Sequence, residues 1–371
     1  MNVQLKRIIV FRIGHLGDTL VALPAFWAIR KKFPDAHITL LSNTDPTNPH
    51  YVSAEKVLPK NALFDSSISY PSGVSKFRRP LDMLSLLFQI RKERPCGLFY
   101  LMPRIRRIDQ IKRDLMFFKF AGVKRIFGAE FLIQNLLPAR AIPPVKEIES
   151  ESDFFIRSLA CDDIVPTEKC RDKSLLLAPD EIANGATFID KTTPPEFINS
   201  PRIAIAPGSK WESKVWDEEN YTKVVEKLIV NLNVFPIVFG GAEDKDKGDR
   251  LIKHWGRGAN AAGALGIREA AAALAKCHVY LGNDTGTMHL AAAVGTRCVS
   301  VFAAVDYPGR WHPVGKGHHI FRRSVECEGC QTANCFNRNL CLKLIDPDEV
   351  YLACAEILDD HRRGEFDLIA G

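Results

Sequence analysis

The sequence predicts an α/β protein of two domains, each a doubly wound parallel sheet with helices on both faces. Three observations predict it. At 371 residues the chain exceeds one ordinary core and suits two domains of roughly 150 to 200 residues each. Short β-rich runs alternate with amphipathic helical stretches, the signature of parallel strands joined by crossover helices. That pattern then breaks and starts afresh.

In the first half, strands are expected at residues 7–13, 37–42, 64–70 and 96–102, with helices in the intervals. In the second half RIAIAP, PIVFGG, HVYLGND and CVSVFA supply four more strands. Helices around 217–232, 243–255, 268–276 and 285–294 connect them. Between the halves, KTTPPEFINSPR reads as an exposed linker and hinge. The expected division is a first domain over 1–190, a linker over 191–202, a second domain over 203–345 and a terminal helix over 346–371. That helix has an acidic first turn and an apolar stripe through Val350, Cys354 and Ile357, and is expected to dock back near the first domain.

Apolar residues make up 46% of the chain and charged residues 25%, without repeats or low-complexity tracts, which excludes disordered and fibrous classes. No apolar run approaches the roughly 20 residues that span a bilayer. The amino-terminal run MNVQLKRIIVFRIG is broken at Arg12, so a cytoplasmic protein without a signal peptide is expected. Ten cysteines do not make a disulfide scaffold in so long a chain, and the six scattered ones read as free thiols. The net charge of +6 is uneven: residues 76–125 hold 14 Lys or Arg against 4 Asp or Glu. One surface should therefore favour an anionic partner, although solvated helix faces explain part of the surplus. Arg91, Lys92 and Arg94, for instance, finish a helix where cations suit the dipole.

The first strand ends in GHLGDTL. Gly14 and Gly17 allow a tight turn there, and Asp18 stands at the carboxyl end of a strand, where ligands bind in open α/β sheets. Asp18 is either a helix cap or a reactive carboxylate. GxGxxG is absent and no acid closes the second strand, which disfavours a dehydrogenase. In RIAIAPGSKWESKVW a strand runs into Gly208, Ser209, Lys210, Trp211, Lys214 and Trp216. Backbone N–H groups, a hydroxyl and ammonium groups make that segment a diphosphate site, or else exposed lysines beside tryptophans that cover the linker. In FGGAEDKDKGD, Gly241 closes a strand and Glu243 begins a helix, as a ribose ligand or as an acid favoured by the dipole. LGNDTGTMHLAAAVGT sets Asp284, Thr285 and Gly286 at a strand end, with His289 one turn on, either a pocket residue or a packing histidine.

Taken in order, GHLGDTLVALPAFWAIRKKFPDAHI, PGSKWESKVWDEENY, FGGAED and GNDTGTMHLAAAVGTRCVSVF resemble glycosyltransferase family 9, the bacterial heptosyltransferases of lipopolysaccharide core assembly, over nearly the full length. The resemblance implies the GT-B fold, two Rossmann-like domains facing across a cleft, with acceptor on the first and nucleotide sugar on the second. It implies Asp18 as catalytic base, Lys214 at the donor diphosphate, Glu243 on the ribose, and Asp284, Thr285, Gly286 and His289 lining the donor pocket. Gly17, Ser209, Lys210 and Gly241 join these as candidate donor contacts. The implied enzyme is an inverting transferase with an ADP-heptose donor, an anionic glycolipid acceptor and peripheral contact with the cytoplasmic face of the inner membrane. His15, Arg104, Arg106 and Arg107 are candidate acceptor contacts, the arginines because they follow the strand at 96–102. The family often has serine just before its Gly-Asp pair, whereas here Gly14, His15 and Leu16 lead in, which bears on acceptor preference.

The chemistry suits these residues. A sugar hydroxyl attacking an anomeric carbon needs a carboxylate to take its proton, worth roughly 10² to 10⁴ in rate, and cations to neutralise the leaving diphosphate. Lysines and helix N-termini can carry that charge, so no cofactor or catalytic metal is required. CEGCQTANCFNRNLC groups Cys327, Cys330, Cys335 and Cys341, a spacing compatible with a structural Zn or Fe site, with reduced thiols or with a redox switch. Two other functions compete: transfer of another sugar or to a protein acceptor, and nucleic-acid binding. The latter is disfavoured because the basic residues interleave with apolar helix positions and lie in a different domain from the cysteines.

Overall fold

Runs such as Arg7–Phe11 (RIIVF) and Arg202–Ala206 (RIAIA), buried at every position after the first, form strands covered on both faces. The computed structural model describes residues 5–48, 50–59, 61–73, 79–162, 164 and 172–362. The chain divides into two units, Met1–Ala139 with Glu149–Leu175, and Arg140–Ile148 with Leu176–Gly371.

The first unit's strands are β1 (Arg7–Phe11), β2 (His37–Thr44), β3 (Ser66–Pro71), β4 (Gly97–Tyr100) and β5 (Ile126–Phe127), and its helices are α1 (Leu16–Val21), α2 (Leu23–Lys32), α3 (Arg79–Glu93), α4 (Ile108–Phe120), α5 (Ala129–Gln134) and α6 (Glu151–Cys161). The sheet order is β3-β2-β1-β4-β5 and every pairing is parallel. Right-handed crossovers then place α3 and α4 on one face and α2 on the other, where α6 packs against it.

The second unit's strands are β6 (Arg202–Ala206), β7 (Phe235–Val238), β8 (Ala259–Asn260), β9 (Val279–Asn283), β10 (Cys298–Phe302) and β11 (His319–Arg322). Its helices are α7 (Pro179–Thr192), α8 (Glu218–Leu232), α9 (Lys245–Trp255), α10 (Ile267–Leu274), α11 (Gly286–Ala293), α12 (Leu340–Lys343) and α13 (Pro347–Arg362). The order β11-β10-β9-β6-β7-β8, again all parallel, is doubly wound. Its switch point lies between β6 and β9 and the first unit's between β1 and β4, so ligand-binding crevices belong at the carboxyl ends of those strands.

The division departs from the sequence expectation of 1–190, 191–202, 203–345 and 346–371 in four places. Helix α7 belongs to the second unit: Arg268 pairs with Glu181 at 2.6 Å and Asn184 donates to Glu269 at 2.8 Å, which ties α7 to α10. The expected linker is packed rather than hinged, because Phe197 stacks on Phe235 at 5.5 Å beneath the Arg257 guanidinium. The terminal helix α13, expected near the first domain, buries Val350, Cys354 and Ile357 in the second unit's own core. Lys227 to Asp348 and Asn231 to Tyr351 fix it beside α8. Residues 140–148, expected in the first domain, also belong to the second unit: Ile148 N–H donates to Pro308 O at 3.0 Å and Val145 N–H to Glu328 at 2.8 Å. Among the described residues no helix is long and apolar enough to cross a membrane.

Candidate functional site

In the first unit, the turn after β1 is built around Asp18. Gly14 has φ +132°, and a Cβ there would fall 2.4 Å from the Asp18 side chain, so the turn excludes other residues. Helix α1 starts at Leu16 with His15 as N-cap, and the Asp18 carboxylate accepts the His15 N–H at 2.9 Å. Its other oxygen lies 3.3 Å from Arg12 Nη2. Arg12 is 1% exposed; it also donates to the carbonyls of Asp18 and Leu101 and lies over the Phe155 ring. The Tyr51 hydroxyl reaches Gly14 O and Asn43, while Asn43 Oδ1 accepts the Gly14 N–H at 3.0 Å. Burial, reinforced by the Asp18 charge, pushes the Tyr51 phenol up to about 12. Asp18 is thus a capping carboxylate held from two sides and still 28% exposed, a geometry in which a cap can also meet a ligand. The expected base Asp18, the candidate acceptor contact His15 and the candidate donor contact Gly17 share this one turn.

In the second unit, the carboxyl edge of β6, β7 and β9 gathers the expected donor residues. Lys214 Nζ sits 2.6 Å from Asp284 Oδ2 and 5.4 Å from the Trp211 ring centroid. Asn283, fully buried, ties the edge together: its amide nitrogen donates to Pro207 and Gly208 carbonyls, and its oxygen accepts from Trp216 N–H and Tyr221 OH. Ser209 accepts the Trp211 N–H at 3.2 Å, and Lys210 is exposed. Asp244 fills the space that side chains at Gly208 and Gly240 would need. Glu243 does not open α9 as expected; it is exposed in a 3-10 turn, Ala242–Asp244, just before that helix. Thr285 is the N-cap of α11, Gly286 its first residue, and His289 is 5% exposed, its ring 6.5 Å from that of Trp311.

Beside this edge lies a cluster that the sequence reading missed. Asp306 accepts from Arg310 at 3.1 Å, from Trp311 Nε1 at 2.8 Å and from Tyr307 N–H at 2.7 Å. Burial pushes its carboxyl up, but Arg310, the Tyr307 amide, Lys214 and Trp311 outweigh that and hold it below the usual range. Arg310 is wholly buried and lies over the Trp311 ring. The available signal was Asp306 and Arg310 spaced i, i+4 just beyond the strand CVSVF.

The three candidate acceptor arginines part company. Arg104 is 4% exposed, donates to Glu149 O at 2.6 Å and faces Glu151, itself wholly buried, at 3.6 Å. It is a packing cation within the first unit, which corrects its expected role. Arg106 pairs with Asp114, which also accepts from Tyr100 OH; both line a cavity of about 480 Å³ between α3 and α4 that Phe11, Leu41, Met83 and Phe117 also line. Arg107, paired with Asp109, has a side chain 74% exposed.

Residues 171–341 match the model of glycosyltransferase family 9 (heptosyltransferase). The match covers a little under half of the chain. Lipopolysaccharide heptosyltransferase 2 of Salmonella typhimurium is 29% identical over 145 residues, covering 35% of this chain and 41% of the relative. The matched part thus spans about two fifths of that relative's length. In structure the chain is similar to a family 9 glycosyltransferase from Veillonella parvula, with TM-score 0.72, 18% identity and coverage of 97% of this chain and 99% of that one. It is also similar to the E. coli ADP-heptose lipopolysaccharide heptosyltransferase II, with TM-score 0.64, 16% identity and coverage of 96% and 99%. At such identities the likeness speaks to the fold, the pair of Rossmann-like domains of the GT-B class.

The matched region ends on the cysteine cluster. Cys327, Cys330, Cys335 and Cys341 line one small cavity, and none of these four is in a disulfide. Three of the four sulfurs accept N–H donors: Cys335 from Asn337 and Asn339, Cys341 from Ala304, and Cys327 from the Asn337 amide. At Cys341 burial outweighs the Ala304 N–H and pushes the thiol up. Among the described residues no three His, Cys, Asp or Glu side chains are drawn together closely enough to hold an ion.

Proposed function

We propose that the protein is an inverting glycosyltransferase that moves a heptose from ADP-heptose to a lipopolysaccharide-type glycan acceptor. The observation that carries this reading is the Lys214–Asp284 pair at the switch point of the second sheet, inside the region that matches the family 9 model. The relatives' names supply the sugar and the acceptor class. In this reading Lys214, Ser209, Lys210, Gly241 and the α11 terminus at Thr285 and Gly286 hold the diphosphate, Glu243 holds the ribose, and Asp284 and His289 line the pocket, all within the second unit. Lys214 leaves Asp284 for the phosphate oxygens, whose charge grows as the anomeric bond breaks. Asp18 takes the proton of the attacking acceptor hydroxyl, with Arg12 and the His15 amide keeping its carboxylate in place. His15, Arg106 and Arg107 are the remaining candidate acceptor contacts.

Cations and amides carry the phosphate charge, so no step is routed through a metal. For the four cysteines, spacing alone supports a structural zinc or iron ion, while their side chains are not drawn together around one; metal analysis of the purified protein decides between an ion and free thiols. The acting compartment is the cytoplasm, with no nucleic-acid partner. The test of function is a mass-spectrometric screen of ADP-, UDP- and GDP-sugars with the purified chain. Selective turnover of ADP-heptose supports the reading, and preference for another nucleotide or sugar overturns it in favour of a different donor.

A further inference from the structure

The first unit carries, at the amino edge of its sheet, a feature that sugar transfer does not use. Arg91, Arg94, Lys124 and Arg125 line one open cavity of about 620 Å³ with Leu5 and Phe120, and no carboxylate lines it. All four cations are exposed. Arg91 Nη2 donates to Phe120 O at 2.8 Å, which joins the carboxyl end of α3 to that of α4. Beside the cavity both helices present apolar side chains to solvent: Leu81, Leu84 and Phe88 at i, i+3 and i+7 on α3, and Met116 and Phe120 at i and i+4 on α4. Phe88 is 60% and Phe120 66% exposed. Lys92, Lys112 and Lys119, also exposed, flank these stripes.

A contiguous exposed apolar stripe is costly in water, and this one is rimmed by cations. Apolar side chains that favour a low dielectric, beside cations that favour phosphate, match the boundary between lipid headgroups and acyl chains. A duplex would satisfy the cations and leave Leu84 and Phe88 in water. We propose that this face docks on an anionic phospholipid bilayer. The cations seat headgroup phosphates, and Leu84, Phe88, Met116 and Phe120 enter the headgroup layer. Helix α3 runs opposite to the strands over about 22 Å, so the stripe extends from the basic cavity towards the carboxyl edge, where Asp18 stands. The proposal rests on the glycosyltransferase reading only for why a lipid-borne acceptor would be useful there.

The test is co-sedimentation of the whole chain with phosphatidylcholine vesicles with and without phosphatidylglycerol, in the absence of nucleotide, so that failure of the transferase reading leaves its outcome untouched. Binding should require phosphatidylglycerol and weaken with salt. Arg91→Gln/Arg94→Gln/Lys124→Gln/Arg125→Gln should lower partitioning by about 10²-fold or more. Leu84→Ser/Phe88→Ser should weaken the binding that remains at high salt. A charge-matched variant of the second unit, Lys223→Gln/Lys227→Gln/Lys253→Gln/Lys276→Gln, should bind as wild type. Wild-type binding by the first variant, equal loss in the control, indifference to phosphatidylglycerol, or duplex DNA bound in place of vesicles would each overturn the proposal.

Discussion

Lys214 and Asp284 form an ion pair of 2.6 Å, with side chains only 17% and 9% exposed, at the edge assigned to the donor diphosphate. In the proposed function Lys214 exchanges the Asp284 carboxylate for a donor phosphate when the site fills. Lys214→Ala should therefore lower donor affinity and rate together, and should also cost about 2 kcal/mol of stability by leaving Asp284 unpaired in a largely buried place. Adding Asp284→Asn should restore most of that stability without restoring donor binding. A double-mutant cycle read by urea unfolding and by nucleotide titration checks both. Unchanged donor affinity in Lys214→Ala would move the phosphate role to Lys210.

Asp18→Asn keeps an oxygen for the His15 N–H but removes the charge that faces Arg12 and the proton acceptor. Transfer should fall by about 10² or more, with nucleotide affinity unchanged, because the nucleotide is assigned to the other unit. Steady-state kinetics beside nucleotide titration separates the two. Turnover at the wild-type rate would leave Asp18 as a cap alone.

Replacing Arg104, Arg106 and Arg107 together is a poor test of acceptor binding, since their environments differ. Arg104→Gln strands the wholly buried Glu151 and should cost about 3 kcal/mol of stability. Arg107→Gln should leave the melting temperature unchanged, so any rise it causes in acceptor KM reports on binding. Separate thermal melts of the single variants check this, and equal stability losses would contradict the burial difference.

The contrast among those arginines shows what sequence carries and what it does not. Strand periodicity and carboxyl-end placement located the turns at Asp18, Ser209, Gly241 and Asp284, because buried parallel strands are read from local apolar runs. Burial of Arg104 depends on Glu151, 47 positions away, and no local pattern encodes such a partner. Asn283 is hidden for the same reason: an amide looks ordinary in a strand until its four partners, Pro207, Gly208, Trp216 and Tyr221, are folded around it. The two-residue strands β5 and β8 and the edge strand β11 were too short or too polar to stand out, and α7 was assigned by its place in the chain when its packing on α10 decides its unit.

The last expectation concerns acid stability. His278 Nδ1 accepts the Arg202 N–H at 3.0 Å, which requires that nitrogen to be unprotonated. Burial first, then the positive charges of Arg202 and His361, pull its pKa down to about 4 from an ordinary value near 6.5. A histidine whose folded value is depressed stabilises the protein fully above the unfolded value, and that contribution is lost as pH falls through the folded one. Between about pH 6.5 and 4, protonation of the unfolded chain should therefore cost the native state about 2 to 3 kcal/mol at this one site. His278→Gln offers an uncharged acceptor to the same N–H and does not titrate. Urea unfolding of wild type and variant across that range should show the wild type losing stability more steeply, with the difference flat above pH 7. Parallel curves would mean that the ring finds another proton partner and that other groups set the acid limit.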